Sequence, residues 1–134
     1  MFFRYCIKSV IEFYRICLGI YEGAYMADYI QLQITYPTLT EARDAALFLV
    51  ESKLAACAQV IDRLESCYVW QGETRVEFEA LLLCKSRACL FDRIVKEITE
   101  RHSYECPQIV GVPLDFVSPL YAAWLDDSIV KPNC

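Results

Sequence analysis

Two long strand patterns, joined at the turn Gln71-Gly72-Glu73, dominate the middle of the sequence over residues 66–85. Ser66, Tyr68 and Trp70 fall at alternate positions of the first arm, so their side chains share one strand face. Gly72 lies in the turn, where it can adopt the positive φ that short hairpin loops need. Each arm runs for about ten residues, whereas most strands have about 5–6. A hairpin this long predicts a covering partner, which in a small protein is usually a second copy of the chain.

The length and composition limit the classes of protein that need to be considered. With 134 residues, the chain is one domain with at most one appendage. Its net charge of −5 and its lack of a basic stripe make nucleic acid an unsuitable partner. The eight cysteines form no CxxC pair and have no zinc-finger spacing. Reduced thiols in a cytoplasmic protein are therefore favoured over a disulfide framework.

The first 25 residues differ in pattern from the rest of the chain. They are apolar except for charged residues along one helical stripe, which interrupt the segment too often for a membrane span. One interpretation is an amphipathic helix lying on a membrane surface, and the other is upstream sequence preceding a true start at Met26. Membrane association is expected only if this extension is translated. We expect the folded domain to occupy residues 26–130, with 131–134 as a tail.

A capping box marks the first predicted helix. Residues 29–35 alternate apolar and polar side chains, which predicts a strand. Thr38 and Glu41 then have the spacing of reciprocal N-terminal caps, which predicts a helix from Thr38 to about Leu54. The first arm of the long hairpin follows this helix.

The second half of the sequence repeats the order of helix and strand. Ser86 is predicted to cap a second helix, and residues 108–116 to form a strand that Pro113 confines to an edge or bend. Ser118 and Pro119 predict a short terminal helix. The order βαββαβ plus a C-terminal helix predicts a ferredoxin-like α+β fold, with an antiparallel sheet covered by helices on one face. The other face then needs cover from outside the protomer.

Several short motifs occur in an order that is more specific than any one of them. They are Lys53-Leu54-Ala55-Ala56-Cys57, Ser66-x-Tyr68-x-Trp70-x-Gly72, Glu77 and Glu79, Lys85, His102-x-Tyr104-x-x-Pro107, and Tyr121-x-x-Trp124-Leu125. Over about residues 29 to 127 this set resembles the CutA-like divalent-cation tolerance proteins. The resemblance implies a ferredoxin-like fold, a tight homotrimer whose sheets pack edge to edge, and a role in tolerance of copper and other divalent metal ions.

The resemblance also implies where a metal ion would be held. The family's metal ligands are ascribed to a cysteine in the first strand and to one or two histidines just before the loop that here contains Ser103, Tyr104 and Pro107. In this sequence the cysteine position is Ile34 and the first histidine position is Arg101, which leaves His102. His102 is therefore the candidate ligand for copper or another divalent cation, with Cys106 as a second donor. The alternative is a structural role for His102.

A second candidate site consists of Trp70, Glu79, Lys85 and Tyr104. These residues could form a pocket for a small anionic ligand, with Lys85 as its counter-charge. Alternatively, they satisfy one another's polar groups at a subunit interface, together with Tyr68. The sequence contains no catalytic motif, so we do not expect an enzyme; an interface cleft using Glu79, Lys85 and Tyr104 is the one enzymatic alternative.

The sequence thus supports two main functional hypotheses. The first is a homotrimer that acts in the response to divalent metal ions through weak cation binding. The second is a trimeric small-molecule-binding regulatory or structural protein of the ferredoxin-like class, with no role for metal. The apolar Ile34 at the cysteine position favours the second over a strong copper site.

Overall fold

The computed structural model describes residues 28–131 of the 134-residue chain. Its elements are β1 (Tyr29–Tyr36), α1 (Leu39–Glu51), β2 (Cys57–Trp70), β3 (Glu73–Arg87), a 3-10 turn (Ala88–Leu90), α2 (Phe91–Thr99), β4 (Ile109–Pro113) and α3 (Pro119–Ser128). The predicted order of strands and helices is confirmed. The predicted extension over residues 1–25 lies outside the described residues, as does most of the predicted tail.

The four strands form one antiparallel sheet in the order β2-β3-β1-β4. Strands β1 and β2 flank β3 because α1 carries the chain across the sheet, which is the split βαβ arrangement expected from the sequence. Strand β4 lies at the sheet edge and ends at Pro113, three residues before the predicted end. Proline has no N–H to donate to a further ladder, which is why the strand stops there.

The core lies between one face of the sheet and the helices. Alternate residues of β1 and β3 point into it and are at most 7% exposed, because strand side chains alternate between faces. Helices α1, α2 and α3 bury one apolar stripe each against this face. The buried set includes Ile30, Leu32, Ile34, Ala80, Leu82, Cys84, Leu49, Ile94, Ile98 and Leu125.

The predicted helix start is confirmed, with Thr38 as the N-cap residue of α1. The Glu41 amide donates to the Thr38 hydroxyl oxygen at 3.2 Å, and the Thr38 hydroxyl lies 3.1 Å from the Glu41 carboxylate. The helix ends at Glu51, three residues before the predicted Leu54. Lys53 adopts a left-handed φ of 56°, which turns the chain out of the helix toward β2.

The prediction that Ser86 caps the second helix is wrong. Strand β3 continues through Ser86, which pairs with Ile30 of β1, and the helix begins only at Phe91 after the 3-10 turn. The Ser86 side chain is fully buried and donates to the Leu54 carbonyl at 2.6 Å. Its hydroxyl therefore ties the β3 end to the loop after α1.

The long hairpin extends beyond the four-stranded sheet. The last pair between β1 and β3 is Tyr36–Ala80, so residues 64–79, here termed the hairpin ribbon, pair only with each other. A bulge separates the ribbon from the sheet, and it gives Arg63 a φ of 58°. At the tip, Gln71 and Gly72 have φ values of 50° and 80°, as a two-residue loop of the type I′ class requires.

The expectation that the cysteines are reduced thiols is met at four of the five cysteines in the described part of the chain. Cys57, Cys67, Cys84 and Cys106 are free. The expectation is wrong for Cys89, which is disulfide-bonded and lies exposed on the 3-10 turn. Within residues 28–131, the helices are too short or too polar to cross a membrane.

Candidate functional site

A cavity of about 610 Å³ lies between the hairpin ribbon and the loop that follows α2. The ribbon contributes alternate residues from the face that carries Ser66, Tyr68 and Trp70, and the loop contributes Tyr104 and its neighbours. Volumes of this size are typical of small-molecule sites. Its walls include Ser66, Tyr68, Trp70, Glu77, Glu79 and Tyr104.

Glu79 lies at the base of the ribbon and is the most buried carboxylate of the described chain, at 7% exposure. The Ser66 hydroxyl donates to Glu79 Oε2 at 2.6 Å, and the Tyr104 hydroxyl donates to Oε1 at 3.0 Å. Hydrogen bonds to both oxygens offset part of the cost of removing a carboxylate from water. The Ser66 bond joins the two arms of the ribbon, and the Tyr104 bond joins the ribbon to the loop.

The tyrosine hydroxyls of the cavity are held as hydrogen-bond donors. Burial, and then the hydrogen bond to Glu79, raises the pKa of Tyr104 above its usual range. Tyr68 donates to Glu77 at 2.7 Å, and this bond is the main cause that raises the pKa of Tyr68. Both hydroxyls therefore stay protonated at neutral pH, with their hydrogens directed at carboxylates.

The His102 ring contacts the protein on both nitrogens and on one face. Its Nε2 lies 2.8 Å from the Thr35 carbonyl oxygen, and its Nδ1 accepts the Tyr104 amide hydrogen at 3.0 Å. These contacts fit a neutral ring protonated at Nε2. The ring also stacks on Tyr36, with centroids 4.3 Å apart. His102 thus fastens the start of the loop to the end of β1, which is the structural role left open by the sequence.

The residues at the family's metal positions do not form a ready-made metal centre in this protomer. Ile34 is fully buried in the core, and Arg101 bonds the Glu97 carboxylate at 2.7 Å while lying over the Phe48 ring. A cation at His102 would have to displace one of its two hydrogen bonds. No cluster of three histidine, cysteine or acidic side chains in the described part of the chain is arranged to hold a metal ion.

Lys85 lies outside the cavity. Its Nζ is 3.1 Å from Gln59 Oε1 and 3.8 Å from Cys57 Sγ, at the opposite end of the sheet pairing from the ribbon. Lys85 lies six positions after Glu79 on β3, a distance of about 20 Å along an extended strand. Trp70, Glu79 and Tyr104 therefore lie together at the cavity, whereas Lys85 contacts side chains of β2.

Ser66 and Glu77 are among the cavity residues that the sequence did not single out as site residues. Ser66 and Glu77 face each other across the ribbon and carry the hydrogen bonds to Glu79 and Tyr68. The signal was present, because Ser66 and Tyr68 share a strand face, as do Glu77 and Glu79. The sequence did not reveal the pairing register between β2 and β3, which places both sets of side chains on the same face of the ribbon.

Comparison with known proteins gives a consistent result. Residues 30–128 match the family described as "CutA1 divalent ion tolerance protein". "Protein CutA homolog" from Danio rerio is 33% identical over 110 residues, covering 81% of this chain and 73% of that protein. "Protein CutA, chloroplastic" from Arabidopsis thaliana is 30% identical over 99 residues, covering 74% of this chain and 54% of that protein. The chain therefore spans little more than half of the Arabidopsis protein.

A solved structure shares the fold over almost its whole length. The divalent cation tolerance protein Cut A1 from Thermus thermophilus superposes with a TM-score of 0.74 and 34% sequence identity. The match covers 76% of this chain and 99% of that one.

Proposed function

Because the chain belongs to the CutA1 divalent ion tolerance family, we propose that it acts in the tolerance of divalent metal ions as a homotrimer. The assembly rests on one observation, the exposed hairpin ribbon. Val69, Val76 and Phe78 of the ribbon are 69%, 59% and 55% exposed, although all three are apolar. An isolated two-stranded ribbon is marginally stable in water, so a covering partner is expected.

Sedimentation velocity of the full chain over a range of concentrations tests the assembly. A mass of three chains that persists on dilution supports the proposal. A monomer at all concentrations contradicts it, because the ribbon would then be exposed in solution. The number three comes from the family resemblance, and the self-association itself comes from the ribbon.

For copper or another divalent cation, we propose weak contact at the loop through His102, with Cys106 as the second donor. Cys106 is exposed and free, and it lies four residues after His102. Binding would cost one of the two His102 hydrogen bonds, which lowers the affinity by about tenfold or more. This places the site among weak cation contacts.

Calorimetric titration of copper into the full chain and into His102→Ala tests this contact. Weak heats that disappear in the variant support a cation contact at the loop. Equal heats from both proteins contradict it. Arg101→Ala is the matched control, because Arg101 is the neighbouring residue and its guanidinium bonds elsewhere.

A second candidate function is favoured by the cavity itself. It encloses about 610 Å³ beside Trp70, Glu79 and Tyr104, which suits binding of a small molecule in a regulatory trimer without a role for metal. Binding of a small ligand in the presence of a chelator would separate this function from cation tolerance.

We propose a cytoplasmic location, which rests on the state of the cysteines: of the five in the described part of the chain, four are free and Cys89 is disulfide-bonded. The Arabidopsis relative is named as chloroplastic, so the compartment is a property to be tested for this chain. Fractionation of cells that produce the full chain, with an antibody to the folded domain, is the direct measurement.

A further inference from the structure

The charges that line the cavity point to the class of its ligand. Three carboxylates, Glu77, Glu79 and Glu105, share its walls with one guanidinium, that of Arg75. We propose that the cavity binds a small organic cation, an ammonium or guanidinium group carried on a short apolar stem. This inference rests on the second candidate function, ligand binding at the same cavity. It replaces the anionic ligand that the sequence predicts with Lys85 as its counter-charge.

The Glu79 carboxylate is the main electrostatic reason to expect a cationic ligand. Its side chain is almost fully buried, yet within residues 28–131 it forms no ion pair, and its neighbours Ser66 and Tyr104 are neutral hydroxyls. Burial of a carboxylate without a counter-charge is unfavourable, and hydroxyl hydrogen bonds offset only part of the cost. A cation in the cavity would provide the missing charge at short range.

The hydrogen-bonding capacity left in the cavity also suits a donor. Tyr68 and Tyr104 already direct their hydrogens at Glu77 and Glu79, so their remaining capacity is lone pairs that accept. The Arg75 guanidinium lies 2.7 Å from Glu73. An anionic ligand would find few free donors there, whereas an ammonium group brings three donors and no acceptor.

The aromatic walls distinguish an organic cation from a bare metal ion. The Trp70, Tyr68 and Tyr104 rings line the cavity, and aromatic faces attract ammonium and guanidinium groups. A metal ion would need several oxygen, nitrogen or sulfur ligands in concert, and no such cluster of three exists among residues 28–131. The apolar stem of an organic cation would instead pack against the rings.

Putrescine and succinate form a matched pair of probes, since both have four carbons and they carry opposite charges at their ends. We would titrate each by calorimetry into the full chain at neutral pH with a chelator present, and sediment the same sample. The expected result is binding of putrescine and none of succinate. Glu79→Gln should weaken putrescine binding by about tenfold or more, because a charged hydrogen-bond partner is lost.

Two further variants keep the test decisive. Glu77→Gln changes an exposed carboxylate of the same cavity and should weaken binding even if Glu79→Gln fails to fold. Glu100→Gln makes the same substitution at the C-cap of α2, outside the cavity, and should leave the affinity unchanged. Equal binding of succinate overturns the proposal. So does the absence of putrescine binding, including the case in which a basic side chain of a second copy fills the cavity. Because a chelator is present and the mass is measured separately, neither result bears on cation tolerance or on the trimer.

Discussion

The Tyr104 hydroxyl donates a 3.0 Å hydrogen bond to Oε1 of Glu79, and this bond joins the loop after α2 to the base of the hairpin ribbon. The two residues are 25 positions apart in the sequence. The bond satisfies a carboxylate that the fold has removed from water, so it affects both the stability of the protomer and the charge of the cavity. Loss of this hydrogen bond should therefore change both the stability of the protomer and the binding of charged ligands in the cavity.

Replacement of Tyr104 by Phe removes this bond and leaves the ring in place. We expect the free energy of unfolding to fall by about 1.5–3 kcal/mol, the usual range for a hydrogen bond to a charged group. Urea denaturation followed by circular dichroism is the measurement. Tyr68→Phe is the matched control, because its partner Glu77 is exposed; its effect should stay below about 0.5 kcal/mol. Equal effects would mean that the burial of Glu79 does not matter to stability.

Trp70→Ala should weaken the association of the protomers. The indole is 44% exposed in the protomer and lies near the ribbon tip, where a neighbouring copy would cover it. Removal of a buried aromatic side chain costs about 3–5 kcal/mol. Sedimentation at decreasing concentration should then show dissociation of the variant where the parent protein stays assembled. Leu47→Ala, an exposed apolar position on α1, should not change the assembly.

Gly72→Ala tests the backbone of the ribbon tip. A Cβ at this position would meet no atom within 4 Å, so any cost comes from the φ of 80° and not from a clash. We expect a loss of about 1–2 kcal/mol in the free energy of unfolding. Gln71→Gly makes the reverse change at the adjacent position, where φ is 50°, and should raise the stability. Loss of stability in both variants would exclude backbone strain as the explanation.

The stability should decrease above about pH 9 because of Cys84. Burial raises the pKa of this thiol from 9.0 to about 12 in the folded state. Between these two values the folded chain binds more protons than the unfolded chain, so the free energy of unfolding falls as the pH rises. The contribution of one such group is at most about 1.4 kcal/mol per pH unit.

Denaturant unfolding at several pH values from 7 to 11 measures this slope. Cys84→Ala should lower the stability at every pH through the lost packing, but its profile above pH 9 should be flatter than that of the parent protein. Cys67→Ala, at an exposed and free thiol, should leave the slope unchanged. An identical slope in all three proteins would rule out Cys84 as its source.

The parts of the fold that follow from local pattern were predictable from the sequence. The N-cap at Thr38 and the turn at Gly72 depend on side chains within a few positions of each other. The turn is one residue shorter than the predicted Gln71-Gly72-Glu73, because Glu73 pairs with Trp70. Ser86 was misinterpreted because a hydroxyl before a helical pattern resembles a cap, whereas its pairing with Ile30 depends on contacts far along the chain. A strand that continues past its own apolar run gives no local signal.

The candidate site was predictable to a smaller extent for the same reason. Trp70, Glu79 and Tyr104 line one cavity, because they belong to one face of the hairpin and to the loop that reaches it. Lys85 shares that strand face but lies about 20 Å away, and alternation alone gives no distance along a strand. The contact of His102 Nε2 depends on the tertiary position of the Thr35 carbonyl, 67 positions away, which no spacing in the sequence reveals.

The end of the β1–β3 pairing at Tyr36 and Ala80 has a consequence for how the length of this chain can change in evolution. Beyond that pair the two arms of the ribbon pair only with each other. Two residues added to each arm would therefore lengthen the ribbon, and every side chain would keep its face. An insertion of one residue would reverse the faces of everything between it and the turn. Insertions and deletions within the ribbon should therefore add or remove two residues in each arm, and the four-stranded sheet should stay unchanged.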